Sequence, residues 1–410
     1  MAKDYLLNIM QHVRQSGQLT RREIAQRMGL SFSLVSRLSN ELIRRGLITP
    51  INRSESDGGR PADLLVINPT AGYVIGLEVN SAIQKAAVVN LQGEVVFSLV
   101  DEALFPGNRD KAVEYLHDFV QRLISLSQLP PDKILGMGIG LWALVDSISG
   151  TVGYWTETPR MLESTTWTAS WNDYPLRSML EQRFSWPYIV VDDIVRMLGL
   201  AEVRYNEAID RDEDFIFALA DTGIGAAIMI GNTPYIGASH FSGELGHVPI
   251  NGGTIRCACG NVGCLETLAS SNAIMDRVRQ RLRGAVFETA LFQAGDALNI
   301  QDVIQAAELG DKLAYQVLTE AGEYFGKGLA TMINLIGLRL VVVGGVLATS
   351  NTFLDAIRRT IKLQALNKIT NGLHVERNRM DEFAGVRGAA SRVIEELFQP
   401  EKKNILTILS

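Results

Sequence analysis

The residues of this chain with the clearest metal-binding chemistry lie in one stretch, GELGHVPINGGTIRCACGNVGCLETLAS, at residues 243–270. All three cysteines of the 410-residue chain are here, and a histidine precedes the first of them by ten residues. Thiolate sulfur and imidazole nitrogen are the ligands found in closed tetrahedral zinc sites. The spacing H-x9-C-x-C-x4-C therefore predicts a Zn²⁺ site whose ligands are His247, Cys257, Cys259 and Cys264.

Two glycines and the ligand number indicate the kind of site. Gly260 and Gly263 let the backbone turn tightly enough to bring three thiolates to one ion. Four protein ligands leave no position for water, so we expect one structural zinc per chain rather than a catalytic one. The alternative is three buried cysteines beside a core histidine.

The first sixty residues show the pattern of a DNA-binding head. Apolar residues recur with helical spacing over residues 6–13, and Thr20 with Glu23 forms a capping box for a second helix. Ser31 can cap a third helix, and two strand-like runs then flank the turn GGRP. This order predicts a winged helix-turn-helix domain. A three-helix protein-interaction domain with a solvated basic face remains the alternative.

The third helix should present a polar outer face to DNA. Short polar side chains and an arginine near a helix N-terminus allow close approach to a major groove and can donate to phosphates and base edges. An arginine at the tip of the wing could enter the adjacent minor groove. The predicted contacts to a double-stranded DNA operator are Ser31, Ser33, Ser36, Arg37, Asn40 and Arg60.

The charge distribution separates this head from the rest of the chain. Residues 1–61 carry ten Lys or Arg and five Asp or Glu, a net charge of +5, whereas the remainder carries 29 and 40, a net charge of −11. A basic head on an acidic body favours a nucleic-acid-binding module attached to a different domain.

Composition restricts the class of protein further. Apolar residues make up 47% and charged residues 20%, as in ordinary soluble proteins. No apolar run approaches the roughly 18 residues of a membrane span, and the N-terminus lacks the features of a secretory signal. An odd number of clustered cysteines does not make a disulfide framework, so we expect a reducing, cytoplasmic location.

Beyond the head, strand-like and helix-like segments alternate, with glycines at the strand ends, which indicates an α/β body. A hairpin followed by a helix occurs at residue 73 and again at residue 215, suggesting two similar lobes with a cleft between them. The predicted domains are a head at 1–70, a first lobe at 71–192 completed by a C-terminal helix at 385–400, and a second lobe at 193–384 that contains the zinc loop 243–270.

These residues resemble the ROK family, which groups sugar-responsive repressors with sugar kinases. The similarity is strongest in GELGHVPI and CACGNVGCLE, continues in TGIGAA and VVVGG, and extends to the winged head with its GGRP turn. The pairing of head and body resembles the repressor branch. The resemblance implies an actin-like, two-lobed sugar kinase fold, preceded by the winged helix-turn-helix, in a homodimer or tetramer.

The resemblance also implies sugar-binding residues. It assigns sugar hydroxyl contacts to Glu244 and Glu266, and it makes His247 a zinc ligand that also faces the sugar. The family's Asn-Asp pair, whose aspartate is the catalytic base of the kinases, falls on Asp192 and Asp193. The glutamates could instead be solvated or helix-capping carboxylates. The extra charge of Asp192 suggests a raised carboxyl pKa or a cationic partner.

The phosphate-binding segments depart from the family pattern. The family's Asp-x-Gly-Gly-Thr becomes EVNSA at residues 78–82, without the glycines or the threonine. Asp221 precedes Thr222-Gly223 where the family usually has glycine, and its charge would repel a triphosphate. We therefore predict that kinase activity has been lost. The alternative function is an ATP-dependent sugar kinase that carries a DNA-binding head.

The residues near the expected sugar site also differ from the family pattern. The family's Pro-Asn is Pro-Arg here, so Arg160 could pair with Asp192, bind an anionic sugar, or lie at the surface. Trp155, Trp167 and Trp171 could stack on a sugar or pack in the core. We therefore expect a repressor of carbohydrate genes whose effector is a sugar or a sugar derivative, anionic if Arg160 binds it. A regulator controlled by a protein partner, with a vestigial pocket, is a third possibility.

Overall fold

The computed structural model describes residues 2–51, 63–154, 171–206, 209, 213–283, 289–399 and 404–409. Arg60 at the wing tip, Arg160, Trp155 and Trp167 lie outside these residues. None of the helices in the described ranges combines the length and apolar character that a membrane crossing requires.

The head consists of three helices and a three-stranded antiparallel sheet in the order β1-β3-β2. Its elements are α1 (Ala2–Ser16), β1 (Leu19–Thr20), α2 (Arg21–Met28), α3 (Phe32–Arg44), β2 (Ile48–Ile51) and β3 (Leu64–Ile67). The capping box of Thr20 and Glu23 and the N-cap at Ser31 are both present. The architecture confirms the predicted winged helix-turn-helix.

The first half of the body contains a five-stranded sheet in the order β10-β7-β4-β5-β6, in which β7 runs parallel to both of its neighbours. The elements of this half are β4 (Tyr73–Val79), β5 (Gln84–Asn90), β6 (Val95–Asp101), α4 (Arg109–Ser127), β7 (Ile134–Leu141), β8 (Leu144–Asp146), β9 (Thr151–Tyr154), α5 (Leu176–Glu181) and β10 (Tyr188–Asp193). Every residue of β7 is buried, because helices cover both faces of the sheet.

The second half contains another five-stranded sheet, in the order β13-β12-β11-β14-β15. Its strands are β11 (Phe215–Ala220), β12 (Ile224–Ile230), β13 (Thr233–Pro234), β14 (Leu340–Gly344) and β15 (His374–Arg377). The helices from the end of β10 onward are α6 (Ile194–Tyr205), α7 (Glu266–Ala269), α8 (Ser271–Arg283), α9 (Ile300–Glu308), α10 (Lys312–Ile336), α11 (Asn351–Gln364), α12 (Asn367–Thr370), α13 (Ala384–Leu397) and α14 (Ile405–Ile408). Strands followed by covering helices confirm the predicted α/β class.

Helices α6 and α13 pack against each other between the two sheets. Helix α13 covers strands β4 and β7 of the first sheet, while α6 contacts β11 and β12 of the second. Glycine allows these close contacts: a Cβ on Gly138 would lie 2.0 Å from the carbonyl oxygen of Ala389, and one on Gly388 would lie 1.8 Å from that of Met197. The helix expected at 385–400 therefore lies against the first sheet.

The C-terminal segment joins the head to the body. Ile405 and Leu406 are buried in the same apolar cluster as Leu7 of α1. The side-chain amide of Gln11 donates to the carbonyl oxygen of Phe398 at 3.0 Å. Head and body thus share one hydrophobic core.

Candidate functional site

The four predicted metal ligands lie together. Their donor atoms are all within 4.8 Å of one another. Nδ1 of His247 is 3.6 Å from Sγ of Cys257, and Sγ of Cys259 is 3.6 Å from Sγ of Cys264. One imidazole and three sulfur atoms at these separations can surround a single metal ion.

The loop geometry explains this convergence. Gly260 and Gly263 have φ angles of 95° and 76°, in the left-handed region that favours glycine. A Cβ on Gly263 would also lie 2.7 Å from the carbonyl oxygen of Gly253. Burial raises the pKa of the Cys264 thiol to about 12. Without a cation beside it, this sulfur therefore stays a neutral thiol at neutral pH, and a bound metal ion would favour the thiolate.

His247 lies between the cysteine cluster and an adjacent cleft. Its Nδ1 faces Cys257, while its Nε2 lies 3.9 Å from Oε2 of Glu244. A short 3₁₀ helix at Leu245–His247 sets the separation of these two side chains. One ring nitrogen can therefore bind metal while the other edge faces the cleft.

An open cleft brings together residues that are distant in the sequence. Asp193, Glu244, His247 and Glu266 all line it. Asp193 is the N-cap of α6 and accepts a hydrogen bond from the Val195 amide at 2.6 Å. The structure thus places all four of these expected sugar-binding residues around one space.

Burial perturbs the carboxyl groups of this cleft. It raises the pKa of Glu244 to about 8, and the negative charge of Asp193 adds to the shift. It also raises the pKa of Glu266, whose Oε2 accepts a hydrogen bond from the Ile224 amide at 3.1 Å. Glu266 therefore has a fixed orientation at the first residue of α7.

Asp192 has a cationic partner in Arg196, one helical turn into α6. Both side chains are almost fully buried, and Nη2 of Arg196 lies 2.7 Å from Oδ1 of Asp192. Although burial disfavours the charged guanidinium, Asp192 and Asp193 raise the pKa of Arg196 above its ordinary value. The partner expected from the sequence was Arg160, and Arg196 was not anticipated. The i,i+4 spacing after Asp192 is the signal that could have found it.

Arg196 also connects segments on both sides of the cleft. Its Nη2 donates to the carbonyl oxygen of Val145 at 2.9 Å, and its Nη1 to that of Ser242 at 3.2 Å. Ser147 donates its hydroxyl to Asp192 at 2.8 Å. The Asp192–Arg196 pair therefore fixes the position of the β8 region relative to the segment that leads to Glu244.

The outer face of α3 is polar, as expected. Ser31, Ser33, Arg37 and Asn40 are exposed, and Ser36 is half-buried. The Ser31 hydroxyl accepts a hydrogen bond from the Leu34 amide, so one of its acceptor positions is used by the helix cap.

A contact that sequence reasoning missed lies beside this face. Arg21 donates to Oδ1 of Asn40 at 3.3 Å and lies 3.4 Å from Oδ2 of Asp63. Arg21 therefore orients Asn40 and adds a basic group next to α3.

Comparison with known proteins identifies the family. A sequence model of the ROK family matches residues 74–396, and a model described as winged helix-turn-helix DNA-binding matches residues 3–49. The chain belongs to the ROK family.

Curated relatives match nearly the whole ROK chain. The xylose repressor of Caldicellulosiruptor bescii is 28% identical over 381 residues, which is 92% of each chain. The DNA-binding transcriptional dual regulator NagC of Escherichia coli (strain K12) is 29% identical over 374 residues, covering 91% of this chain and 88% of that protein.

Solved structures confirm the ROK fold. A ROK family transcriptional regulator, described as a homologue of the E. coli MLC protein, superposes with a TM-score of 0.81 at 24% identity over 100% of this chain and 99% of that one. A ROK family glucokinase from Streptomyces griseus, solved with glucose and AMPPNP, has a TM-score of 0.67 at 24% identity and covers 78% of this chain and 99% of its own. The fold is thus a ROK sugar-kinase-like body preceded by a winged head.

In the segments that resemble the phosphate-binding loops of ROK kinases, backbone amides donate hydrogen bonds to side chains of the protein itself. Oδ1 of Asn80 accepts hydrogen bonds from the amides of Ala82 and Ile83 at 2.9 and 2.7 Å. The carboxylate of Asp221 accepts from the amides of Thr222 and Val346, each at 2.8 Å. These side chains occupy backbone donors of the kind that bind phosphates in other proteins.

One aromatic residue lines the cleft of this ROK protein, among those the structure describes. Trp142 lies in its wall and also borders a neighbouring solvent-open cavity that extends past Ser81 and Thr222. Trp171 is instead buried in the core, where its indole N–H donates to the carbonyl oxygen of Gly107 at 3.1 Å. Of the two roles considered for Trp171, the structure shows core packing and not stacking on a sugar.

Proposed function

We propose that this protein is a sugar-responsive, DNA-binding transcriptional repressor of carbohydrate-metabolism genes. The observation that carries the proposal is the junction, in one chain, of a winged head with a cleft lined by Asp193, Glu244, Glu266 and His247. Carboxylates in such a cleft can accept paired hydrogen bonds from adjacent sugar hydroxyls. The names of the relatives, a xylose repressor among them, support the same function.

The repressor acts as a homodimer or tetramer in this proposal. Two heads, each at residues 1–70, read an inverted repeat on double-stranded DNA in the cytoplasm. The first lobe, 71–192 with 385–400, and the second lobe, 193–384, adopt a different relative arrangement when sugar binds. The sugar must then bind one arrangement more tightly than the other.

One structural Zn²⁺ per chain completes the site in this proposal, held by His247, Cys257, Cys259 and Cys264. A cation there stabilises the thiolates and holds the loop 243–270, in which Glu244 and Glu266 lie on either side of the cysteines. The chain supplies four ligands, so the ion's task is structural.

We propose that phosphoryl transfer is lost. The Asn80 and Asp221 side chains take up amides that a nucleotide phosphate would need, and Asp221 adds a repelling charge. The ROK kinase fold makes a sugar kinase with a DNA-binding head the alternative. An ATP turnover assay across a sugar panel separates the two, because robust sugar phosphorylation contradicts the loss.

DNA binding is tested by selecting genomic fragments with the purified protein and measuring affinity for the best one. Arg37→Ala should weaken binding by about 1–3 kcal/mol if Arg37 contacts a base, and Arg60→Ala should also weaken it. Arg359→Ala is the control, since Arg359 is exposed on α11 of the second half. Unchanged affinity in both head variants would contradict the assignment of α3 and the wing to the grooves.

A further inference from the structure

Helix α3 of the head begins with an exposed aromatic side chain. Phe32 is the first residue of the helix and is 58% exposed, the largest fraction for any phenylalanine, tyrosine or tryptophan in the described part of the chain. Leu30 and Leu34, on either side of it in the sequence, pack against the core of the head. A single exposed apolar side chain is common on protein surfaces, so the position of Phe32 is what indicates a function.

Phe32 lies on the face of α3 that we assign to DNA. Ser36 and Asn40 follow it at intervals of four residues, so the three side chains lie along one side of the helix, and the exposed Arg37 lies next to them. In a helix-turn-helix domain, the N-terminal residues of the helix that enters the major groove contact the base edges. Phe32 occupies this N-terminal position.

The surroundings of Phe32 allow DNA to approach it. The first turn of α3 contains no acidic residue, and the head carries a net charge of +5 over residues 1–61. The hydroxyls of Ser31 and Ser33, on either side of the ring, lie 3.3 Å apart, and that of Ser31 also accepts the Leu34 amide. The polar groups beside Phe32 are thus partly used within the helix cap, while its ring offers apolar surface to a partner.

The chemistry of the ring limits what it can recognise in a major groove. A benzyl side chain neither donates nor accepts a conventional hydrogen bond, so it cannot read the donor and acceptor pattern of a base pair. The apolar group that base pairs present in the major groove is the 5-methyl group of thymine. This methyl group is therefore the chemical partner that fits Phe32.

We propose that Phe32 packs on a thymine methyl group of the operator and thereby selects a T·A pair at that position, an inference that rests on the proposed DNA-binding function. The contact removes apolar surface of both the ring and the methyl group from water. Cytosine has no methyl group, so a C·G pair at the same position leaves the ring without its apolar partner. Phe32 is thus a residue that determines operator specificity.

Replacing thymine by uracil tests the contact, because the change removes the methyl group and keeps every base-pairing atom. Affinity of the full-length protein is measured for the operator fragment selected from genomic DNA, with each thymine replaced in turn by deoxyuridine. At the contacted position of a half-site, the replacement should weaken wild-type binding about fourfold, which is the loss expected from one buried methyl group.

Variants of the ring assign this loss to Phe32. Phe32→Ala should weaken binding to the unmodified operator at least about fourfold and should abolish the effect of uracil at the contacted position. Phe32→Leu keeps an apolar side chain and should retain part of that effect. Phe292→Ala is the matched control, since Phe292 is 50% exposed in the second half of the body, and it should change neither the affinity nor the uracil effect. Thermal unfolding checks that each variant is folded.

The outcomes separate this inference from the proposed function. A wild-type protein that selects no DNA fragment contradicts DNA binding itself. Operator affinity that is unchanged in Phe32→Ala overturns the contact and indicates that the ring serves another partner, such as a protein. If Phe32→Ala binds more weakly but responds to uracil in the same way as wild type, the ring supports the shape of the head and does not read thymine, which also overturns the proposal.

Discussion

At the scale of single residues, the charge of Asp192, where the family resemblance implies asparagine, is balanced by Arg196. The second carboxylate beside Asp193 is paired and buried, so the site does not contain two free neighbouring anions. Removing one partner of a buried pair is more damaging than removing both, because the remaining charge is left without compensation. The identity of residue 192 can therefore be understood only together with residue 196.

This pairing predicts non-additive stability changes. Asp192→Asn and Arg196→Met should each lower the free energy of unfolding by about 3 kcal/mol, while the double variant should lose clearly less than the sum. Urea unfolding of the four proteins measures this cycle. Arg279→Met, which breaks an exposed pair with Asp276, should change stability by less than about 1 kcal/mol. Additive losses would contradict the pairing.

The raised pKa of Asp193 predicts that the free energy of unfolding depends on pH. Burial raises its pKa to about 6, with Arg196 opposing and Asp192 reinforcing the shift. Because this folded-state pKa exceeds the unfolded value of about 3.9, the stability that Asp193 contributes is present below about pH 4 and is lost as pH rises through about 6. Asp193→Asn keeps a capping oxygen and loses this dependence. Its free energy of unfolding relative to wild type should therefore increase from pH 4 to pH 7, whereas a constant difference would argue against the shift.

At the scale of elements, the loop 243–270 has little regular structure of its own. It contains one 3₁₀ turn, the four residues of α7 and two isolated bridges, Arg256 to Val262 and Pro249 to Cys264. Backbone hydrogen bonds constrain such a segment only locally, and the proposed zinc ion would tie its four ligand residues together. The carboxylates Glu244 and Glu266 lie at its two ends.

The element-scale prediction concerns metal. Cys259→Ser should reduce the zinc content of the purified protein below one ion per chain and lower its melting temperature, because a ligand is lost while the side chain stays small. Thr254→Ala, an exposed change in the same loop, is the control. Metal analysis by mass spectrometry and thermal unfolding provide the readouts. A wild-type protein that is free of metal yet equally stable would refute the zinc proposal.

At the scale of the whole molecule, the head is not an independent appendage. Helix α1, the end of α13 and the C-terminal α14 share a core. The guanidinium of Arg14 on α1 lies 5.3 Å from the ring centre of Phe398. A rearrangement of the body can therefore reach the head through packed contacts.

This shared core predicts that a C-terminal residue stabilises the head. Ile405→Ala should lower the free energy of unfolding by about 2–5 kcal/mol, because it leaves a cavity at a fully buried site. It should also weaken operator binding if the head loosens. Thr407→Ala, at an exposed position in the same helix, should change stability by less than about 1 kcal/mol. Equal effects of the two changes would show that α14 does not pack on the head in solution.

The sequence by itself determined the features that depend on local spacing. Caps at Thr20 and Ser31, helical periodicity in the head and glycines beside closely spaced ligands all act over a few residues, so their types and separations predict them. The tertiary structure alone decided that Glu244 faces Asp193 and that Asp221 holds the Val346 amide, 125 residues away. It also decided that the C-terminus packs against α1. Such contacts depend on how whole sheets and helices pack, and neither periodicity nor ligand spacing contains that information.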